Sequence, residues 1–145
     1  MKVKDEKGRS FDVYLNNPRL KSIDNVVDFT QEETLEYAKC MTDPLYFAKT
    51  YVRIVNVDEG VIPFRLWKFQ EDMIDTYAKN RFCVTLCPRQ VGKSTTVVAY
   101  LLWLVLFQAN KNCCILAHKG ATSRELLARL RDAYELLPLW MQQGV

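Results

Sequence analysis

The sequence predicts an α/β chain, a parallel β-sheet with crossover helices that is incomplete in these residues and is preceded by a mainly helical N-terminal region. Three observations carry the prediction. Two short apolar runs, residues 82–86 and 113–117, have the continuous β-prone character of strands covered on both faces. Each is followed by a helical pattern, giving the order βαβα that calls for right-handed crossovers. The length of 145 residues, with 49% apolar, 26% charged and 12% aromatic residues, suits one compact domain with a packed core, and it excludes a disordered, collagen-like or coiled-coil chain.

Taken in order, residues 1–30 mix charges, Asn16-Asn17-Pro18 and short apolar groups without a sustained period, so an extended arm is expected. Thr30 and Glu33 have capping-box spacing, and Leu35, Tyr37 and Ala38 supply an apolar stripe, which predicts a helix over 31–40. Asp43-Pro44 is an N-cap followed by a helix first position, with Leu45, Phe47, Ala48 and Tyr51 at helical spacing behind it. Residues 52–57 alternate and branch at the β-carbon, predicting a strand closed by Asp58-Glu59-Gly60. With Gly60 and Pro63 beside them, those two acids read as a surface turn and not as a metal-binding pair. A helix is expected over 68–79, with Met73, Ile74 and Tyr77 on its buried side. The strand at 82–86, a loop, an apolar helix over 95–107 and the strand at 113–117 follow. A last helix capped by Thr122 or Ser123 runs to about 137, with Leu126, Leu127, Leu130, Tyr134 and Leu137 on one face and Arg124, Arg129, Arg131 and Asp132 on the other. The chain divides into an arm and helical lead-in, 1–60, and the first part of a larger α/β domain, 61–145.

Composition narrows the chemistry. Net charge is +3, unevenly distributed: residues 1–80 hold twelve basic and fourteen acidic groups, and residues 81–145 hold eight and three. An anion is therefore sought in the second half. The cysteines Cys40, Cys83, Cys87, Cys113 and Cys114 are odd in number, form no C-x-x-C pair and have only His118 as a histidine in the whole chain, so neither a disulfide framework nor a zinc site is expected. No secretion signal leads the sequence, which predicts residence in a reducing cytoplasm. The longest apolar run, 97–107, is about half of the ~20 residues that cross a bilayer, so no membrane span is expected.

The loop Cys87-Pro88-Arg89-Gln90-Val91-Gly92-Lys93-Ser94-Thr95 carries the chemical signal. In the P-loop pattern G-x-x-x-x-G-K-[ST], consecutive backbone N–H groups curl around phosphate oxygens at a helix N-terminus. The lysine reaches the β- and γ-phosphates and the hydroxyl ligates Mg²⁺. Gly92, Lys93 and Ser94 match that pattern, and Cys87 stands where it asks for the first glycine. The triplet alone is a weak signal; an apolar run just before it and a helical pattern beginning inside it make it strong. Lys93 and Ser94-bound Mg²⁺ would neutralise charge on a transferring phosphoryl group, and Arg89 could act as an arginine finger in cis. A plain solvated charge is the alternative for Arg89. The acids after Lys93, namely Glu125, Asp132 and Glu135, all fall on the expected last helix, so none ends a strand as an acid that holds Mg²⁺ and activates water would.

Given these residues, the chain resembles the large terminase subunit of myovirus-type tailed bacteriophages, over about residues 64–144. The resemblance rests on Phe69-Gln70, the variant loop P-R-Q-V-G-K-S-T, the run I-L-A-H-K-G at 115–120 and the helix end E-L-L-P at 135–138. It implies a RecA-like ATPase of the additional-strand kind, binding ATP and Mg²⁺. It also implies that Gln70 contacts the adenine edge, where the residues alone equally allow a helix cap or a solvent-facing side chain, that Arg89 is the cis finger, and that Gln90, Val91, Gly92, Lys93, Ser94 and Thr95 surround the phosphates with Ser94 on the metal. Double-stranded DNA, a portal protein and a small terminase subunit are the implied partners of a homo-oligomeric ring in the host cytoplasm, at the prohead portal vertex. The acidic pair, coupling motif and nuclease acids of the family do not occur among these residues, which are expected to bind nucleotide without hydrolysing it alone. A superfamily 2 helicase-like translocase and a short non-hydrolysing nucleotide-binding protein remain as alternatives. Lys119 could assist with phosphate or DNA, and His118 reads as a local hydrogen-bonder.

Overall fold

The computed structural model describes residues 1–56 and 58–145 and is a mixed α/β structure, with five α-helices and two two-stranded antiparallel sheets among those residues. Where an extended arm is expected, β1 (Lys2–Lys4) and β2 (Ser10–Asp12) form a hairpin, with Val3 opposite Phe11. Each strand has three residues and a single inward side chain, too short to show a period. The turn closes on Asp5, whose Oδ1 accepts from the N–H groups of Lys7 (3.0 Å) and Arg9 (2.8 Å).

Helices α1 (Gln31–Thr42) and α2 (Pro44–Thr50) start at the expected caps. Thr30 Oγ1 accepts from Glu33 N–H (3.3 Å) while Glu33 Oε2 accepts from Thr30 N–H (3.0 Å), a closed capping box. Asp43 Oδ1 accepts from Tyr46 N–H at 2.9 Å, behind Pro44 at the first helical position. Strand β3 (Arg53–Asn56) then pairs with β4 (Gly60–Pro63), a partner the sequence had not predicted, around a turn in which Asn56 Oδ1 accepts from Asp58 N–H at 2.8 Å. Val57, the last residue of the expected strand, lies outside the described residues.

Helix α3 (Lys68–Lys79) buries Met73 and Ile74, with Tyr77 half-buried, as its pattern requires. Helix α4 (Lys93–Phe107) begins at Lys93 and not at Thr95, so the loop's lysine and serine are already helical. Helix α5 (Gly120–Glu135) also starts early: Lys119 takes the cap position, and Thr122 and Ser123 sit inside the first turn. The serine is satisfied there by donating from Oγ to the carbonyl of Gly120 (3.2 Å) instead of capping a later start.

The expected parallel pairing of residues 82–86 and 113–117 is not formed. Both segments lack ladder hydrogen bonds, and the sheets present are the two hairpins. A strand needs a second backbone about 4.8 Å away to bond with, and neither segment is paired with one among the described residues. The first one keeps a period of two. Thr85 Oγ1 meets Tyr77 Oη at 3.1 Å and Cys83 Sγ donates to the Thr76 carbonyl, while Phe82, Val84 and Leu86 point away and are 84%, 101% and 99% exposed.

Helix α4 organises the core. It is apolar on nearly every side and packs against α1, α2, α3 and α5. Trp103, Leu106 and Phe107 meet Cys40, Phe47 and Ala48 of the first two helices, and Ala99 and Leu102 join Ile74, Ala133 and Met141 in the same cluster. Each fully buried side chain of this size contributes roughly 1.5–3 kcal/mol. The indole N–H of Trp103 donates to the Cys40 carbonyl at 2.8 Å, which satisfies both groups in the interior. Burial pushes the Cys40 thiol up to about 12.

Two polar contacts tie distant segments to this core. Arg9 bonds both carboxylate oxygens of the buried Glu33, at 2.8 and 2.7 Å, and also reaches Asp5 at 2.7 Å, locking the first hairpin onto α1. Gln142, 1% exposed, accepts from Lys21 N–H at 3.0 Å and donates to the carbonyls of Arg19 (2.8 Å) and Leu137 (3.2 Å). Main-chain bonds from Val145 N–H to the Lys21 carbonyl and from Ile23 N–H to the Val145 carbonyl extend the junction. No described helix is long and apolar enough to cross a membrane.

Arg9 is the main reason the Glu33 carboxyl sits at about 2 instead of the ordinary 4.5. A depressed carboxyl stabilises the fold fully above pH 4.5, and that contribution is lost as the pH falls from 4.5 towards 2. Thermal midpoints measured across this window should drop in the wild type and drop less in Glu33→Gln, whose stability at pH 7 is lower by about 1–2 kcal/mol. Gln142→Leu strands a buried N–H and two carbonyls and should cost about 2–4 kcal/mol in chemical denaturation, with amide exchange at Lys21 accelerated beyond the average.

Candidate functional site

The loop between residues 87 and 92 turns back on itself through two left-handed residues, Gln90 (φ 64°) and Gly92 (φ 75°). Gly92 is the N-cap of α4, and its carbonyl accepts from Thr96 N–H (3.0 Å) and Thr96 Oγ1 (3.1 Å). The amides of Lys93, Ser94 and Thr95 belong to the first helical turn and have no main-chain acceptor among the described residues. Three N–H donors thus lie at the positive end of a fifteen-residue helix, the arrangement that receives an anion. No carboxylate cap occupies it.

Lys93 is exposed and Ser94 and Thr95 are half-buried. Lys93 and Ser94 border a cavity of about 240 Å³ between α3, α4 and α5, which Met73, Val97, Leu101 and Leu126 make mostly apolar. Thr95 borders a different cavity of about 290 Å³, beside Arg53, Arg129 and Asp132. Arg89 and Gln90 are exposed on the outer limb of the loop, and Val91 is half-buried. Neither Lys93 nor Arg89 joins an ion pair among the described residues, so both charges are available to a ligand.

Gln70 is close to the loop but faces its backbone. It is buried at the start of α3, where its Oε1 accepts from Trp67 N–H at 2.9 Å and its Nε2 donates to the Val91 carbonyl at 3.2 Å. The first of these bonds is legible in the sequence as a helix-start glutamine; the second is a tertiary contact with no signal in residue spacing. The structure therefore brings together Gln70, Val91, Gly92, Lys93, Ser94 and Thr95, with Arg89 and Gln90 at the rim.

Other sequence candidates lie elsewhere. Glu125 is paired with Arg129 at 2.6 Å on α5, and Asp132 is exposed along the same helix. His118 is exposed, and Lys119 caps α5. No group of three or more His, Cys, Asp or Glu side chains able to hold a metal ion occurs among the described residues. Ser94 Oγ is a single hard oxygen donor, which fits Mg²⁺ carried in by a phosphate chain, because that ion takes few protein ligands and fills its octahedron with phosphate oxygens and water. No known protein-family model matches the chain.

The left-handed turn at Gly92 leaves no room for a side chain: a Cβ there would lie 2.6 Å from Gln70 Nε2. Gly60 has nearly the same φ, 73°, with open space around it. Gly60→Ala should therefore lose about 1 kcal/mol from backbone strain alone, and Gly92→Ala should lose about 1 kcal/mol more because it also displaces a buried amide. Urea unfolding of the two variants measures the difference directly.

Proposed function

We propose that these residues are the nucleotide-binding part of a P-loop ATPase, and that the complete motor is a large terminase subunit that drives double-stranded DNA into viral proheads. The observation that carries the reading is the first turn of α4, where Gly92 in the left-handed conformation presents the unpaired amides of Lys93, Ser94 and Thr95 beside an unpaired lysine. The positive end of α4 and the Lys93 ammonium suit the charge of a triphosphate. Its oxygens would accept from the amides, Lys93 would reach the outer phosphates, and Ser94 would supply one oxygen to Mg²⁺. Magnesium, when bound, neutralises charge that develops on the transferring phosphoryl group. Arg89, exposed at the rim and in no ion pair among the described residues, would turn onto that group as a finger in cis.

The order apolar segment, loop, helix, apolar segment, helix supports a RecA-like sheet in which residues 82–86 and 113–117 are strands covered on both faces. The solvent-facing side of the first segment, Phe82, Val84 and Leu86, is apolar, as a face meant for a second layer would be. The terminase assignment and its partners, DNA, a portal protein and a small subunit in a ring, rest on the loop P-R-Q-V-G-K-S-T together with I-L-A-H-K-G and E-L-L-P. We assign Glu125, Asp132 and Glu135 no part in activating water, since all three are on α5.

Mg·ATP should raise the thermal midpoint of the wild-type chain in proportion to the logarithm of its concentration once the site is saturated. Lys93→Ala should abolish the shift while leaving the ligand-free stability within about 0.5 kcal/mol, because the side chain is exposed and in no ion pair among the described residues. A shift that persists undiminished in Lys93→Ala would remove the loop as the binding site.

A further inference from the structure

Residues 87–91 make no main-chain hydrogen bonds among the described residues, although Gln90 is held in a left-handed conformation that is unfavourable for a side chain. The loop's shape therefore needs support from outside. One side chain supplies it: Nε2 of Gln70 donates to the Val91 carbonyl at 3.2 Å, one residue before the turn at Gly92. The other end of the amide is fixed as well, since Oε1 accepts from Trp67 N–H at 2.9 Å where α3 begins. Gln70 is 6% exposed, so the amide bridges two main-chain segments from inside the structure.

We propose that Gln70 is a positioning residue that holds the loop in its phosphate-binding shape, acting on the phosphate chain of a ligand and not on its base. This rests on the phosphate-loop reading above. The amide keeps a second N–H and a second lone pair, but Gln70 is 6% exposed and its bonds to Val91 and Trp67 hold the group against main chain, so it presents no donor–acceptor pair outwards to an adenine edge. A ligand without any base should consequently feel the loss of Gln70 as strongly as ATP does.

The test compares Mg·tripolyphosphate, Mg·ATP and Mg·GTP by titration calorimetry on the wild type and on Gln70→Met, which keeps the side chain's length and removes its amide. The expected result is that all three ligands weaken by the same factor, about five- to tenfold. Loss confined to ATP, with tripolyphosphate unchanged, would overturn the proposal in favour of a base contact. If the wild type bound neither tripolyphosphate nor ATP, the phosphate-loop reading itself would fall, a separate and recognisable failure. A measurement on the ligand-free protein covers the case in which Gln70→Met folds poorly. Gln70→Glu keeps the acceptor for Trp67 N–H and replaces the donor to Val91 by a carboxylate oxygen, so exchange of the Thr96 amide, which donates to the Gly92 carbonyl at 3.0 Å, should quicken about five- to tenfold and stay unchanged along the rest of α3. Unchanged exchange at Thr96 would overturn the proposal.

Discussion

Helix α4 has almost no side on which water is welcome, and the rest of the molecule is arranged around that constraint. A helix that is apolar through most of its circumference must be surrounded, and α1, α2, α3 and α5 surround it. Its C-terminal half, with Trp103, Leu106 and Phe107, is sunk among the first two helices. The N-terminal turn cannot be sunk in the same way, because three main-chain donors there need partners. The first turn of α4 is thus held from behind by the core and left open in front, the condition a binding site needs.

The stabilising polar contacts share one device, a side chain that substitutes for missing secondary structure. Gln142 satisfies the main chain of Lys21, Arg19 and Leu137; Gln70 does so for Trp67 and Val91; Arg9 and Glu33 dock a hairpin that has few apolar contacts of its own. Glutamine suits the task because one amide offers both a donor and an acceptor without a charge that would be expensive to bury. Where the chain has such bridges its loops are tied to the body, and where it lacks them, as along residues 113–117, the main chain makes no hydrogen bonds to main chain among the described residues.

Local signals in the sequence explain most of the helices. Thr30 with Glu33, and Asp43 with Pro44, fix two helix starts to the residue, because a cap is a contact between neighbours and is written in their spacing. The loop residues Gly92, Lys93 and Ser94 were legible for the same reason. Pairing was not. Strand character at 82–86 and 113–117 follows from side chains, whereas a ladder depends on what lies alongside, and here nothing does. The converse error occurs at β1, β2 and β4, short segments without a pattern that become strands because a turn brings them together. The start of α5 moved for a subtler reason: Thr122 and Ser123 are good caps, but a hydroxyl inside the first turn can bond back to a carbonyl, and Ser123 does so. The bridge from Gln70 to Val91 spans two elements, and no periodicity or motif encodes it.

The junction at Gln142 joins residues separated by more than 120 positions, Lys21 with Gln142 and Ile23 with Val145. During synthesis the arm leaves the ribosome first, yet the groups that close it down are made after α5. Until then the main-chain groups of Lys21 and Ile23 lack the partners they find at this junction, while Ser22 N–H already has the Asp12 carbonyl and Tyr14 N–H the Leu20 carbonyl within the arm. The α1–α2–α4 core can assemble as soon as α4 has emerged, since its contacts need nothing made later. The Gln142 latch closes across a long stretch of chain, and it therefore carries the loop-closure entropy that makes non-local contacts slow to form.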